Sequence, residues 1–290
     1  MTRVAIVTDS SACLPSSFIA DHAIIIVPLT MVIDGEAFRD GALTAGEFYS
    51  RLRASRSAPA TAAPSPGEFL QAFRIARDSG ATSALCLTLD SDLSGTCSSA
   101  VSAEEMAAIE LDGFPVRVVD TRSLAMAHGF SVLAAARAAS AGATIDEAAA
   151  GALAVASEAY LVGVIETTLY LARSGRLPWI AHWAASLLHI RPLLAASAGR
   201  IRGVGRARTV RGAMERMIAY VDRRIAPDRL LHLSVMHADA GERADELAEL
   251  VRRRFSPAEL FVTEFTSVMG VHTGPGFVGL AFYSGAEPEE

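Results

Sequence analysis

The stretch Arg3-Val4-Ala5-Ile6-Val7-Thr8-Asp9-Ser10-Ser11-Ala12-Cys13-Leu14-Pro15 decides the fold class. Its first half, Arg3–Thr8, is a short β-branched run that reads as a strand. Its second half is a polar turn ending in proline. In doubly wound sheets ligands sit beyond the carboxyl ends of the strands. Asp9, Ser10 and Ser11 stand at such an end. The same residues also suit a plain strand-to-helix turn, with Asp9 or Ser10 satisfying backbone donors.

Outward from this stretch the pattern repeats. Ala23–Leu29, Ser83–Leu89 and Val116–Val119 read as further strands. Helix starts lie between them. Thr44 with Glu47, Ser65 with Glu68 and Thr144 with Glu147 have capping-box spacing, and Pro66 occupies a first helical position. Alternation of strand and helix predicts an α/β domain with a mainly parallel sheet. Ala134–Ala156 predicts a tight helix pair.

A second set follows Glu158. Strands are expected over Tyr160–Ile165, Pro192–Ala196, Arg200–Val204, Leu230–Met236, Leu260–Phe265 and Val278–Tyr283. Helices are expected over Thr167–Arg173, Ile180–His189, Thr209–Ile225 and Gly241–Phe255. The predicted organisation is two α/β domains, residues 1–158 and 159–290. The acidic tail Gly285–Glu290 is expected to fray.

Composition excludes several classes. All 26 basic residues are arginine, because the chain has no lysine. A Walker phosphate loop, a Schiff-base lysine and a kinase strand lysine are therefore absent. A net charge of −6 argues against nucleic acid as the general partner. Cys13, Cys86 and Cys97 form no C-x-x-C and read as reduced thiols, which fits the cytoplasm. The mean hydropathy of +0.32 calls for large cores or an internal apolar site. The most lipid-like window, Trp179–Ala198, contains His182, His189, Arg191 and Pro192, so it reads as a buried helix and a strand rather than a membrane span.

Five clusters are candidates for chemistry. The first is Asp9-Ser10-Ser11. The second is the loop Ser57–Ser65, where Thr61 is either a ligand contact or part of an ordinary Pro/Ala/Ser loop. The third is Asp90–Thr96, where Ser94, Gly95 and Thr96 precede a helix over Cys97–Leu111. Hydroxyls and free N–H groups at a helix start suit an anion, while Ser94 or Asp92 as a plain N-cap is the rival. The fourth is Arg173-Ser174-Gly175-Arg176, a fixed charge for an acid or a glycine-capped helix end. The fifth is basic, with nine arginines between Arg200 and Arg229. It fits a solvated helix face or a docking patch for an acidic or phosphate-carrying partner. Nucleic acid is disfavoured there, because aromatic residues are not interleaved.

The segment His272-Thr273-Gly274-Pro275-Gly276 completes the picture. Its glycines allow a turn in which main chain and an imidazole approach an anion. Together with the other clusters it points to a small acidic ligand. Gly274 to Gly279 matches G-x-G-x-x-G only literally, with a proline inside and no βαβ unit after it. The histidines show no metal-ligand spacing, so no metal is expected.

In order, these segments resemble the DegV family of bacterial proteins. The matching pieces are Thr8–Pro15, Val27-Pro28-Leu29 with Asp40, Leu93–Ala100, Val119-Asp120-Thr121, Thr168–Arg176, His189–Leu193 with Gly199, and His272–Gly276. The resemblance implies a two-domain α/β fold with a long-chain fatty acid between the domains. It also implies a non-catalytic role, as the acyl-carrying subunit that presents the carboxylate to a separate ATP-binding fatty acid kinase subunit in phospholipid metabolism. No cofactor is implied beyond the fatty acid.

By position, Thr61, Ser94, Gly95, Arg176 and His272 match the carboxylate site, with Asp9, Ser10, Ser11, Thr96 and Thr273 around the head group. Arg202, Arg206 and Arg208 match a kinase-docking segment. Cys13, Ala62-Ala63 and Ser174 depart from the family pattern. The alternative is an acyl hydrolase or transferase using Asp9, Ser94 and His272.

Overall fold

The computed structural model describes residues 3–180 and 190–285. In chain order it forms β1 (Val4–Asp9), α1 (Ser16–Asp21), β2 (Ile25–Val27), β3 (Thr30–Ile33), β4 (Glu36–Arg39), α2 (Ala45–Ala54), β5 (Ala60–Ala62), α3 (Pro66–Asp78), β6 (Ser83–Thr88), α4 (Thr96–Glu110), β7 (Val116–Asp120), α5 (Ala125–Ser140) and α6 (Ile145–Glu158). There follow β8 (Tyr160–Val164), α7 (Leu169–Ser174), β9 (Arg191–Ser197), β10 (Arg200–Ala207), α8 (Val210–Asp222), β11 (Leu230–His237), α9 (Gly241–Arg254), β12 (Glu259–Glu264), α10 (Ser267–Thr273) and β13 (Val278–Gly285). The helix expected from Ile180 to His189 falls, from Ala181 on, outside the described residues. So do His182, His189 and the tail after Gly285.

Two compact units emerge. The first is Met1–Leu29 with Ala62–Glu158; the second is Thr30–Thr61 with Ala159–Glu290. This corrects the expected domains, because residues 30–61 do not belong with the rest of the N-terminal part. The cause is packing that sequence distance hides. Phe48 and Tyr49 of α2 are buried and abut Gly270 of α10. Asp40 Oδ1 accepts from Val268 N at 3.2 Å, and Arg53 pairs with Asp239.

Unit 1 is the parallel sheet that the sequence predicts, in the order β2-β1-β6-β7. Every residue of β6 is buried, because helices cover both faces. On one face Val7 and Cys86 meet Phe69, Phe73, Ala100 and Ala103 of α3 and α4. On the other, Ile6, Leu85 and Leu87 meet Val132, Ala135, Ala148 and Ala152 of α5 and α6. The alanines let α5 and α6 approach closely, and each fully buried Phe of α3 contributes about 1.5–3 kcal/mol. All three predicted capping boxes are formed, at Thr44, Ser65 and Thr144.

Unit 2 holds a mixed six-stranded sheet in the order β10-β9-β8-β13-β11-β12, and a small sheet β4-β3-β5. β8 and β11 both run antiparallel to β13, so their carboxyl ends share one edge. Met214, Met217 and Val221 of α8, with Leu247 and Val251 of α9, cover one face over Val162, Leu233, Val235 and Leu280. The β3–β4 hairpin turns at Asp34-Gly35, both with positive φ (49° and 83°). That is the Asp-Gly turn favoured between twisted strands.

Candidate functional site

In unit 2, three of the expected residues converge. His272 lies in the last turn of α10, and not in a turn outside any helix as its sequence context suggests. Gly274 caps that helix with φ 71°. His272 Nε2 is 3.1 Å from Thr61 Oγ1. Arg176 follows α7 past its left-handed cap Gly175, φ 69°. Its Nη1 donates to Ser174 O at 2.8 Å, and its Nη2 donates to Thr61 Oγ1 at 3.4 Å. The Thr61 hydroxyl is thus the meeting point of an imidazole and a guanidinium.

Burial, then the charge of Arg176, lowers the pKa of His272 to about 4. The ring is neutral at physiological pH. Its Nδ1 is buried and has no hydrogen-bond partner among the described residues. An unpaired buried N–H costs more than an unpaired ring lone pair, which favours the proton on Nε2. His272 and Arg176 then both donate to Thr61 Oγ1. The threonine's own hydroxyl hydrogen is left to point at an acceptor.

A hydroxyl and an imidazole at 3.1 Å also resemble a nucleophile and its base. A ring with a pKa of about 4 is a weak base, and no group among the described residues orients its Nδ1. The arrangement donates hydrogen bonds well and abstracts protons poorly. Thr273, expected nearby, turns its hydroxyl to Met269 O and Gly274 O (3.3 and 3.4 Å), closing the helix end.

In unit 1 the first cluster is committed to the fold. Asp9 is fully buried. Its Oδ1 accepts from Ser11 N and Ser11 Oγ, and its Oδ2 accepts from Leu89 N at 2.9 Å. Ser10 Oγ accepts from Leu29 N at 3.2 Å. These bonds tie the carboxyl ends of β1, β2 and β6 together. Asp9, Ser10 and Ser11 therefore brace the turn, the plainer of the two readings of that stretch.

Sequence reasoning missed their neighbour His128. Thr121 Oγ1 donates to Thr88 O at 2.9 Å, so it must accept from His128 Nδ1 at 3.0 Å. Thr8 Oγ1 lies 3.0 Å from Nε2 and donates to it. Burial lowers the His128 pKa despite the opposing charges of Asp9 and Asp120. An isolated histidine in an alanine-rich helix carries no local sign of these partners.

Ser94 precedes α4, whose N-cap is Gly95 without a side-chain bond. Ser94 Oγ is 2.8 Å from Thr96 Oγ1 and accepts from Thr96 N at 3.3 Å. Neither Ser94 nor Asp92 is the capping residue. Thr96 is buried, while Ser94 is only partly covered.

Arg202 and Arg206 on β10, and Arg208 just after it, are exposed and make no ion pair among the described residues. Two other arginines of the basic segment are engaged within the fold. Arg211 pairs with Glu215 and Glu246, and Arg224 lies 3.5 Å from the ring centroid of Tyr220.

A cavity of about 430 Å³ in unit 2 is lined by Arg53, Glu166, Asp239, Arg243, Pro275 and Gly276. It does not include Thr61, Arg176 or His272. Four of its charged side chains are paired, Arg53 with Asp239, and Glu166 with Arg243 and, outside the lining, with Arg191 (2.8 and 2.5 Å), while Glu242 makes no ion pair among the described residues. Burial raises the pKa of Glu166, and the two guanidiniums outweigh it, leaving the carboxyl below its ordinary value. Among the described residues no group of three His, Cys, Asp or Glu is placed to hold a metal, and no helix is long and apolar enough to cross a membrane.

Fold and site define a two-unit α/β protein with a donor-rich polar site on its second unit. The chain belongs to the DegV family: the model described as "Uncharacterised protein, DegV family" matches residues 3–285. A DegV domain-containing protein of Streptomyces coelicolor is 38% identical over 289 residues, covering 97% of this chain and 99% of its own. A DegV family protein from Thermus thermophilus, described by its fatty acid binding, superposes with a TM-score of 0.88 at 28% identity. It covers 98% of this chain and 100% of its own. A Thermotoga maritima protein described as revealing fatty acid binding function gives 0.85 at 28% identity, with the same coverage.

Proposed function

We propose that this chain is a non-catalytic carrier of one long-chain fatty acid, and that it presents the carboxylate to a separate ATP-binding kinase subunit for conversion to an acyl phosphate. The observation that carries the reading is the convergence of Arg176 and His272 on the Thr61 hydroxyl. Two donors saturate the oxygen, and its hydrogen is free for a carboxylate. Burying a carboxylate is unfavourable unless donors meet it. The acyl chain supplies the driving force: ~0.8 kcal/mol per CH₂ gives on the order of 10 kcal/mol for a C16 chain before entropy losses. The likeness to proteins described as fatty-acid-binding supports the same ligand class.

In unit 1 the reading assigns Ser94 and Gly95 to the head group as well, with Thr96 behind them. Arg202, Arg206 and Arg208, exposed and without an ion pair among the described residues, are assigned to docking of the kinase subunit, where acidic groups would meet them. With no lysine and no phosphate loop, the chain leaves ATP to the partner. Both proteins then work in the cytoplasm.

The hydrolase reading is less favoured. Asp9, the carboxylate it needs, engages both oxygens with Ser11 and Leu89. Trapping the acyl phosphate with hydroxylamine, in the presence of ATP and the kinase subunit, tests the proposal. Product should depend on this chain. If Thr61→Ala and Ser94→Ala both left the yield intact, the site assignment would be wrong. Turnover of acyl esters by the isolated chain would favour the hydrolase instead.

A further inference from the structure

Helix α10 carries His272 and is seated by glycine at two places. A Cβ on Gly270 would lie 2.7 Å from both Phe48 Cε1 and the Tyr49 hydroxyl. A Cβ on Gly274 would overlap the ring of Tyr170, with Cδ2 nearest. Tyr170 belongs to α7, whose end delivers Arg176. Its ring therefore bridges the two elements that bring a guanidinium and an imidazole to Thr61. Tyr170 is only partly buried, between exposed Leu169 and buried Leu171. Core burial alone does not account for an aromatic ring set on a bare backbone. The ring lies between α7 and the end of α10.

We propose that Tyr170 is a positioning residue: its ring, seated on Gly274, sets α7 against α10 and so holds Arg176 and His272 on the Thr61 hydroxyl. This rests on the reading of that hydroxyl as a carboxylate site. Tyr170 touches no ligand in this scheme. Without the ring, α7 can settle towards Gly274, and the 3.4 Å contact from Arg176 is the first to go. The Arg176 charge then moves away from the imidazole it helps to keep neutral.

The test compares the full-length chain with Tyr170→Ala and Tyr170→Phe by two readouts. The first is NMR titration of the His272 ring. The wild type and Tyr170→Phe should titrate near pH 4, and Tyr170→Ala should titrate higher. The second is the preference for palmitate over methyl palmitate, which lacks the charged oxygen. Tyr170→Ala should lose about tenfold in affinity for the acid, because the Thr61 hydroxyl, no longer fixed by Arg176, gives up its charge-assisted bond to the carboxylate. Its affinity for the ester should stay within about twofold, because the apolar contacts are untouched.

An unshifted His272 titration with the acid-over-ester preference intact would overturn the proposal. So would an equal loss for acid and ester with His272 unshifted, which is what a merely structural ring would give. If the wild type binds neither compound, the carrier reading fails by itself. The titration still decides whether Tyr170 positions His272.

Discussion

Thr61→Val removes one hydroxyl and keeps the shape of the side chain. In the free protein, Arg176 loses a long bond at the surface, which costs little. His272 loses the partner of its Nε2, and its Nδ1 already has none among the described residues. Leaving a partly buried ring nitrogen unpaired costs about 1–3 kcal/mol, so the variant should unfold at a lower denaturant concentration with an unchanged slope. For the ligand, a hydrogen bond to a charged group contributes roughly 1.5–3 kcal/mol, which is ten- to 150-fold in Kd. The acyl chain is not affected, so an ester should bind as before. Isothermal calorimetry with palmitate and methyl palmitate measures both. An unchanged palmitate affinity in Thr61→Val would refute the idea that this hydroxyl meets the carboxylate.

The pH dependence of stability has a definite sign. An unfolded histidine takes its proton near pH 6.5, and His272 in the fold does so only near 4. Stability is therefore full above about pH 6.5 and falls as pH drops towards 4. Between pH 7.5 and 5 the loss is about 2 kcal/mol at most, and His272→Gln should lack it in denaturant titrations at the two pH values. His128 acts in the same direction. Gly270→Ala should destabilise by about 1–3 kcal/mol through overpacking against Phe48 and Tyr49, read as a lower thermal midpoint. Arg206→Glu should leave fatty acid affinity unchanged and cut kinase-dependent acyl phosphate yield, with the wild-type yield growing more sensitive to salt than that of the variant.

The parallel sheet of unit 1 was legible because its signals are local. The run Ser83–Thr88 is a continuous buried strand, and each capping box spans four residues. The Gly175 cap ahead of Arg176 is equally local. The membership of residues 30–61 was not legible. It depends on Asp40 meeting the backbone of Val268, 228 residues away, and on two aromatic rings abutting Gly270. Asp34-Gly35 did announce the β3–β4 hairpin, and the sequence reading passed over it. Asp9 looked free for a ligand because its partner is the backbone N–H of Leu89, which no side-chain pattern reveals. The helix around His272 was hidden for a related reason. Seven residues between a strand and a Gly-Pro-Gly turn carry too little periodicity to announce a helix.

Native mass spectrometry of the delipidated chain, titrated with a mixture of fatty acids and their methyl esters, tests the central claim most directly. One long-chain fatty acid per chain should be retained, in preference to its ester. A chain that takes up no fatty acid, or that holds acid and ester equally, would contradict it.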